Sequence, residues 1–372
     1  MKAPESLPLK RLTYIAVLLA LLIYGLVAMR MLLQPLAWAL FLALLMLPMV
    51  NWLERRRWPP VVAIFTVIVL VTVVLAALMY FLSAQMIGLV SDIPKLSDKL
   101  GTYLDQLRQW GDQSLGIPYE TQPEQLRSRL GSLTEQAVGV AGNALSSTAR
   151  VASFLGLLPI YIFLLLLYRH HLKAFLSKLT NTTRILETAT KATHVVRRYL
   201  QGLVIVTLIT GVLATLVFVT LGVKYALFFG LFVAIFNLIP YVGVFIASTV
   251  SVVYVFLTSD SLTYPILALT LLWGIQLIEN NLITPYVVGN RIRLNALAVL
   301  ISIVAGGLMW GVSGLILFIP LLGAIKVLFD EVDSLKPWGF LMGEPKDERK
   351  RDAREAKEQP KPATQPEEEE KS

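Results

Sequence analysis

Apolar and polar positions in this chain separate into blocks rather than alternating residue by residue. Uncharged stretches cover Leu12–Met29, Met31–Leu53, Trp58–Ser91, Val151–Tyr168, Tyr199–Val223, Tyr225–Ser259, Ser261–Ile278 and Leu294–Ile325. A helix crossing a hydrocarbon layer of about 30 Å takes roughly 20 residues. Several stretches reach that length once, and three are long enough for two crossings joined by a tight turn. Their continuous Leu-rich character predicts helices, because barrel strands alternate over about ten residues. Lipid offers the backbone no partner, so each span must close its own hydrogen bonds. The pattern therefore predicts an all-α polytopic membrane protein with about eight transmembrane helices. A water-soluble fold has no core able to hide eight such stretches.

Punctuation along the chain sets the divisions. Residues 1–83 read as the first three transmembrane helices, with a turn at Pro35 and a second turn after Glu54-Arg55-Arg56-Arg57. Residues 84–150 break the pattern. Seven acids and five bases fall between Asp92 and Glu135. This predicts two or three amphipathic helices in an extracytoplasmic insert, with breaks at Ile117-Pro118 and Gln122-Pro123. Residues 151–168 read as a fourth span and 169–198 as one cytoplasmic amphipathic helix, with seven Lys or Arg against the single Glu187. Residues 199–330 form a C-terminal transport core. Residues 331–372 form a cytoplasmic tail that is too polar to fold from about 342. The apolar stretches 225–257 and 296–325 are each broken near the middle, so each is either two crossings or a re-entrant hairpin. Both choices keep the parity of the topology.

Composition changes this picture little. The chain of 372 residues is 56% hydrophobic, and its mean hydropathy is +0.66. The net charge of +8 fits basic loops on the cytoplasmic side of an inner membrane, with both termini on that side, better than a nucleic-acid partner. Lys2, Lys10 and Arg11 precede the first apolar stretch, which is long for a signal peptide and reads as a retained helix. With no cysteine, neither a disulfide nor a thiolate metal site is expected. His170, His171 and His194 lack accompanying ligands and read as solvated surface. No metal or other cofactor is expected.

Three segments carry candidate chemistry. In Asn237-Leu238-Ile239-Pro240-Tyr241-Val242-Gly243, proline removes a backbone donor and glycine relaxes backbone limits. Such a break at membrane depth either holds an ion or polar solute near Asn237, Pro240 and Gly243, or is an ordinary interhelical turn. The second segment runs from Gln276 through Glu279, Asn280, Asn281 and Pro285 to Gly289. Glu279 is the only acid between Asp260 and Asp330. An ionisable residue at membrane depth points to function, whereas the same residue at a helix end would be an interfacial carboxylate. The third segment holds Gly306, Gly307, Gly311 and Gly314, followed by Pro320, a set suited to close packing or a hinge.

Together these motifs resemble the autoinducer-two exporter family, the PerM-like permeases. The likeness lies in Tyr199-Leu200-Gln201-Gly202, Ile239-Pro240-Tyr241-Val242-Gly243, Glu279-Asn280-Asn281-Leu282-Ile283-Thr284-Pro285, Gly289, Gly306-Gly307 and Gly311-Val312-Ser313-Gly314 through Pro320. It covers about residues 10–335. Where the family often places proline after the turn glycine, this chain has Val244. The resemblance implies a secondary transporter or exporter of a small polar solute such as the autoinducer-two signal. The alternatives are sodium or lithium exchange for protons, or a channel or structural membrane protein. It also implies a homo-oligomer. No P-loop motif supports ATP-driven pumping, and no His-Glu-x-x-His or Ser-His-Asp set supports an enzyme.

Overall fold

The computed structural model describes residues 9–115, 148–179, 183–240, 242–289 and 294–343. The regular structure among them is entirely helical. In chain order the helices are α1 (Leu9–Ala28), α2 (Arg30–Arg55), α3 (Pro60–Leu115), α4 (Thr148–Leu167), α5 (Arg169–Leu179), α6 (Thr183–Thr220), α7 (Ala226–Phe236), α8 (Val242–Thr258) and α9 (Thr263–Ile278). A π-helical turn over Glu279–Ile283 joins α9 to α10 (Thr284–Val287), and α11 (Ala296–Trp310), α12 (Val312–Glu331) and α13 (Lys336–Leu341) follow.

Five segments are long and apolar enough to cross a membrane: Arg30–Arg55, Pro60–Asp92, Leu186–Thr220, Thr263–Val287 and Val312–Glu331. Among the described residues these are the five such segments, and the architecture is polytopic and all-α. Helices in the two broken stretches are shorter. The 11 residues of α7 and the 15 of α11 rise about 16 and 22 Å, less than the hydrocarbon thickness of about 30 Å.

Several boundaries differ from the sequence expectation. Pro35 lies inside α2, and the chain bends at Met29 instead. Proline is tolerated within apolar spans where neighbouring groups take up the freed carbonyl. Helix α3 does not stop near Phe81. It continues for 56 residues in all, about 84 Å, so the first part of the insert is a projection of the third span. The predicted breaks at 117–118 and 122–123 and the tail from 344 onward lie outside the described residues. The basic segment 169–198 is not one helix either. Helix α5 ends at Leu179, and α6 runs without interruption from Thr183 through Arg198 to Thr220.

Three apolar clusters hold the helices together. The first joins α2, α3 and α4 through Ala39, Ala43, Val50, Ile64, Val67 and Ile162. The second joins α6 to α9 through Phe218, Phe229, Tyr254 and Leu272. In the third, Phe41, Val196, Trp310 and Leu317 seat the α11–α12 hairpin on α2 and α6. The hairpin turns at Gly311, whose φ of 61° favours glycine. Gly306 and Gly314 then bring the two backbones so close that a Cβ on either would collide with the other's carbonyl group. At the tip, Trp310 donates its indole N–H to Leu26 O at 3.0 Å, and Gln34 donates to Trp310 O at 3.0 Å. Leucines such as Leu18, Leu21 and Leu216, together with Ile266 and Trp273, stay exposed, as lipid-facing positions should.

Candidate functional site

The site begins with an irregularity in one helix. Pro285 has no N–H and cannot accept a regular helical neighbour four residues back. Just before it, Thr284 N–H reaches five residues back to Glu279 O, which widens the turn. Such π turns concentrate at functional sites. Because the helix continues through the turn, Thr263–Val287 is a single 25-residue apolar segment. Glu279 lies about 24 Å from its start and about 12 Å from its end. The carboxylate is therefore within a segment long and apolar enough to cross a membrane, not beyond its end.

Glu279 is only 5% exposed, while its neighbours Asn280, Asn281 and Leu282 face outward. A buried carboxylate is costly unless it is hydrogen-bonded, and three neutral donors converge on it. Asn237 Nδ2 donates to Glu279 Oε1 at 2.7 Å, Thr210 Oγ1 to Oε2 at 3.0 Å, and Gln276 Nε2 to Oε2 at 3.2 Å. Among the described residues no Lys or Arg pairs with it. An ionised carboxylate offers about four lone-pair sites. Three are filled, and one is left for a solute hydroxyl or a cation.

Each donor arrives on a different element for a local reason. Thr210 is fully buried in the middle of α6. Asn237 ends α7, where the chain turns toward α8. That turn needs Gly243, because a Cβ there would collide with Phe236 O. Pro240 lies within the turn. Gln276 is one turn before Glu279 on α9. The helix carrying Glu279 lies close against α6 at Gly202, where a Cβ would come within 3.0 Å of Val288 Cα. Gly289, with φ of 59°, ends that helix.

Of the sequence candidates, Asn237, Gln276 and Glu279 therefore meet directly, and Pro240 and Gly243 shape the turn that delivers Asn237. Asn280 is exposed, and Asn281 Nδ2 turns back to Leu277 O at 2.8 Å. Pro285 is exposed and acts through the helix geometry. Gly306, Gly307, Gly311, Gly314 and the buried Pro320 belong to the α11–α12 hairpin, away from the carboxylate. Sequence reasoning does not single out Thr210: it is one of four threonines, with Thr207, Thr215 and Thr220, in the same apolar stretch, and nothing local sets it apart. His170, His171 and His194 are exposed on α5 and α6.

Residues 15–334 match the family described as AI-2E family transporter. The chain belongs to the AI-2E transporter family. It is similar to YhhT of Escherichia coli (strain K12), a conjectured transport protein, with 26% identity over 82% of this chain and 86% of YhhT. YueF of Bacillus subtilis (strain 168), also conjectured to transport, is 24% identical over 76% of this chain and 79% of its own length. The AI-2 transport protein TqsA of Escherichia coli (strain K12) is 24% identical over 80% of this chain and 85% of TqsA. Membership in the AI-2E family makes this chain a membrane transport protein rather than an enzyme, a secondary transporter or exporter of a small polar solute.

Proposed function

We propose that this transporter exports a small hydroxylated solute of the autoinducer-two type, and that Glu279 is its central binding group. The observation that carries the reading is the buried carboxylate held by Thr210, Asn237 and Gln276 inside the Thr263–Val287 segment. A solute hydroxyl donating to the remaining lone pair can take the place of the longest donor, Gln276, and leave the charge solvated throughout. The name of TqsA supports the solute class.

Sodium or lithium exchange for protons is a second reading, favoured by the same donor set. Thr210, Asn237 and Gln276 each also carry an oxygen. Turning the two amides about would give a cation four oxygen ligands with Glu279, whereas a proton on the carboxylate would release it. The chain is further proposed to be a homo-oligomer of the inner membrane, with both termini cytoplasmic and the 84–150 insert outside.

The deciding experiment is flux through purified protein in liposomes, with the autoinducer-two signal, sodium and lithium as alternative substrates and with or without a pH gradient. Glu279→Gln keeps the shape and removes the charge. Its flux is expected to fall to background with normal oligomeric state. Parent-like flux from pH 6 to 9 would dismiss Glu279 as the binding group. The orientation is tested with the cysteine-free background. Arg56→Cys should stay unlabelled by an impermeant thiol reagent in intact cells, and labelling there would reverse the topology.

A further inference from the structure

The helices that supply the donors to Glu279 also frame a polar cavity at their opposite ends. It has a volume of about 740 Å3 and lies between α3, the α6–α7 connection and the α8–α9 connection. That size is within the range of roughly 300–1,000 Å3 seen for small-molecule sites. Two acid–base pairs form its rim. Lys224 Nζ donates to Asp92 Oδ2 at 2.7 Å, and Lys99 Nζ to Asp260 Oδ1 at 3.0 Å. Tyr225 O–H also donates to Asp92, at 2.9 Å. The hydrogen bond to Asp92 pushes Lys224 above the ordinary lysine range. Two lysines and two aspartates cancel, leaving a lining without net charge.

Hydroxyl groups supply the rest of the polarity. Tyr254, Thr258, Ser261 and Tyr264 line the cavity. Thr258 and Ser261 donate to Tyr254 O at 2.8 Å and to Thr263 Oγ1 at 3.1 Å and so offer a solute their acceptor sites, while the tyrosine hydroxyls can donate and accept. Tyr254 is buried and closes the cavity toward the protein interior. Its ring contacts Phe229 at 4.7 Å and Tyr225 at 6.0 Å between centroids, and Phe229 contacts Phe218 at 5.7 Å. Phe218 and Phe229 are wholly buried. This aromatic layer sits between the cavity and the Glu279 end of the same helices, which are about 16 Å apart along α7.

We propose that this cavity is a second solute site, selective for uncharged, hydroxyl-rich small molecules, and that the Tyr254–Phe229–Phe218 layer is the closed barrier between it and Glu279. The charge balance of the rim favours neither anions nor cations, while its hydroxyls and fixed charges give a polyhydroxylated molecule many partners. The inference rests on the transport reading, but its test does not depend on Glu279.

The chain has no cysteine, so Ser261→Cys and Thr258→Cys each report on the cavity alone. Purified single-cysteine protein in lipid nanodiscs is labelled with a thiol reagent in the presence of the autoinducer-two signal or D-ribose as neutral probes. Gluconate and glucosamine serve as charged comparators of similar size. At least one neutral probe is expected to slow labelling at both positions fivefold or more, with the charged comparators near baseline. Adding Glu279→Gln should leave this protection in place. No protection by any probe, or equal protection by charged and neutral probes, overturns the proposal. Protection that survives while Glu279→Gln transports like the parent would remove Glu279 from the mechanism and leave the cavity site standing. Protection lost only on adding Glu279→Gln would show that the probe acts at Glu279, which also overturns the cavity site.

Discussion

The bundle of α2, α3 and α4 and the core of α6 to α9 are built from the same kinds of apolar residues, yet they differ in what they bury. The first packs Ala, Val, Ile, Leu and Met side chains along continuous helices. Its polar interaction is at an edge, where Arg169 pairs with Glu54 at the end of α2. Among the described residues, every buried polar or charged side chain, including Thr210, Ser251, Glu279 and Ser302, lies after α5. Beside the long α6 and α12, the helices there are short, turned or widened. Regular helices satisfy their own backbones and need nothing from their neighbours, so they suit an anchor. Interrupted helices expose backbone and side-chain groups that must be met by partners, and those partners can be exchanged for a solute. On this difference we propose that the N-terminal bundle holds and the C-terminal core transports.

The largest expected effect that would break this contrast comes from a matched pair of glycines. Gly243→Leu places a side chain into Phe236 O and must displace the turn that carries Asn237. Flux in liposomes is expected to fall to background while membrane insertion stays normal. Gly156→Leu in α4 meets nothing within 4 Å and should transport like the parent. Equal flux from the two variants would remove the distinction between a tolerant anchor and a demanding core.

How far this contrast was legible in the sequence depends on the kind of signal. Long apolar stretches gave the membrane class, because burying them in lipid depends on composition alone. Glu279, Gln276 and Asn237 stood out as polar residues in apolar surroundings. The extent of helix α3 did not stand out, since its mixed polarity past Phe81 is as compatible with surface helices as with a projecting one. Nor did the continuation of the helix beyond Glu279. Asn, Thr and Pro there read as an end to the helix, while the structure absorbs Pro285 by widening one turn. Thr210 was invisible because its role depends on α6 lying against the Glu279 helix, a contact prepared by Gly202 and Val288 and not by local pattern.

The smallest expected effect sharpens the comparison through a single hydroxyl. Thr210 and Thr66 are both threonines within long apolar helices, one in the core and one in the anchor bundle. Thr210 donates to Glu279, whereas among the described residues no charged group meets the Thr66 hydroxyl. Replacing Thr210 by valine keeps the branched shape and leaves the carboxylate with two donors. A hydrogen bond to a charged group contributes about 1.5–3 kcal/mol. Part of that loss is recovered if Asn237 and Gln276 draw closer, so Thr210→Val should lower flux at subsaturating solute by about tenfold, equivalent to about 1.4 kcal/mol. Thr210→Ser restores the donor and should recover most of the flux, which a merely space-filling role would not predict. Thr66→Val should change nothing measurable. Solute-concentration series on the four proteins decide the matter. If Thr210→Val and Thr66→Val behave alike, the third donor is dispensable and the site reduces to Asn237, Gln276 and Glu279. If Thr210→Val is impaired and Thr210→Ser is no better, α6 contributes packing to the site rather than a donated hydrogen bond.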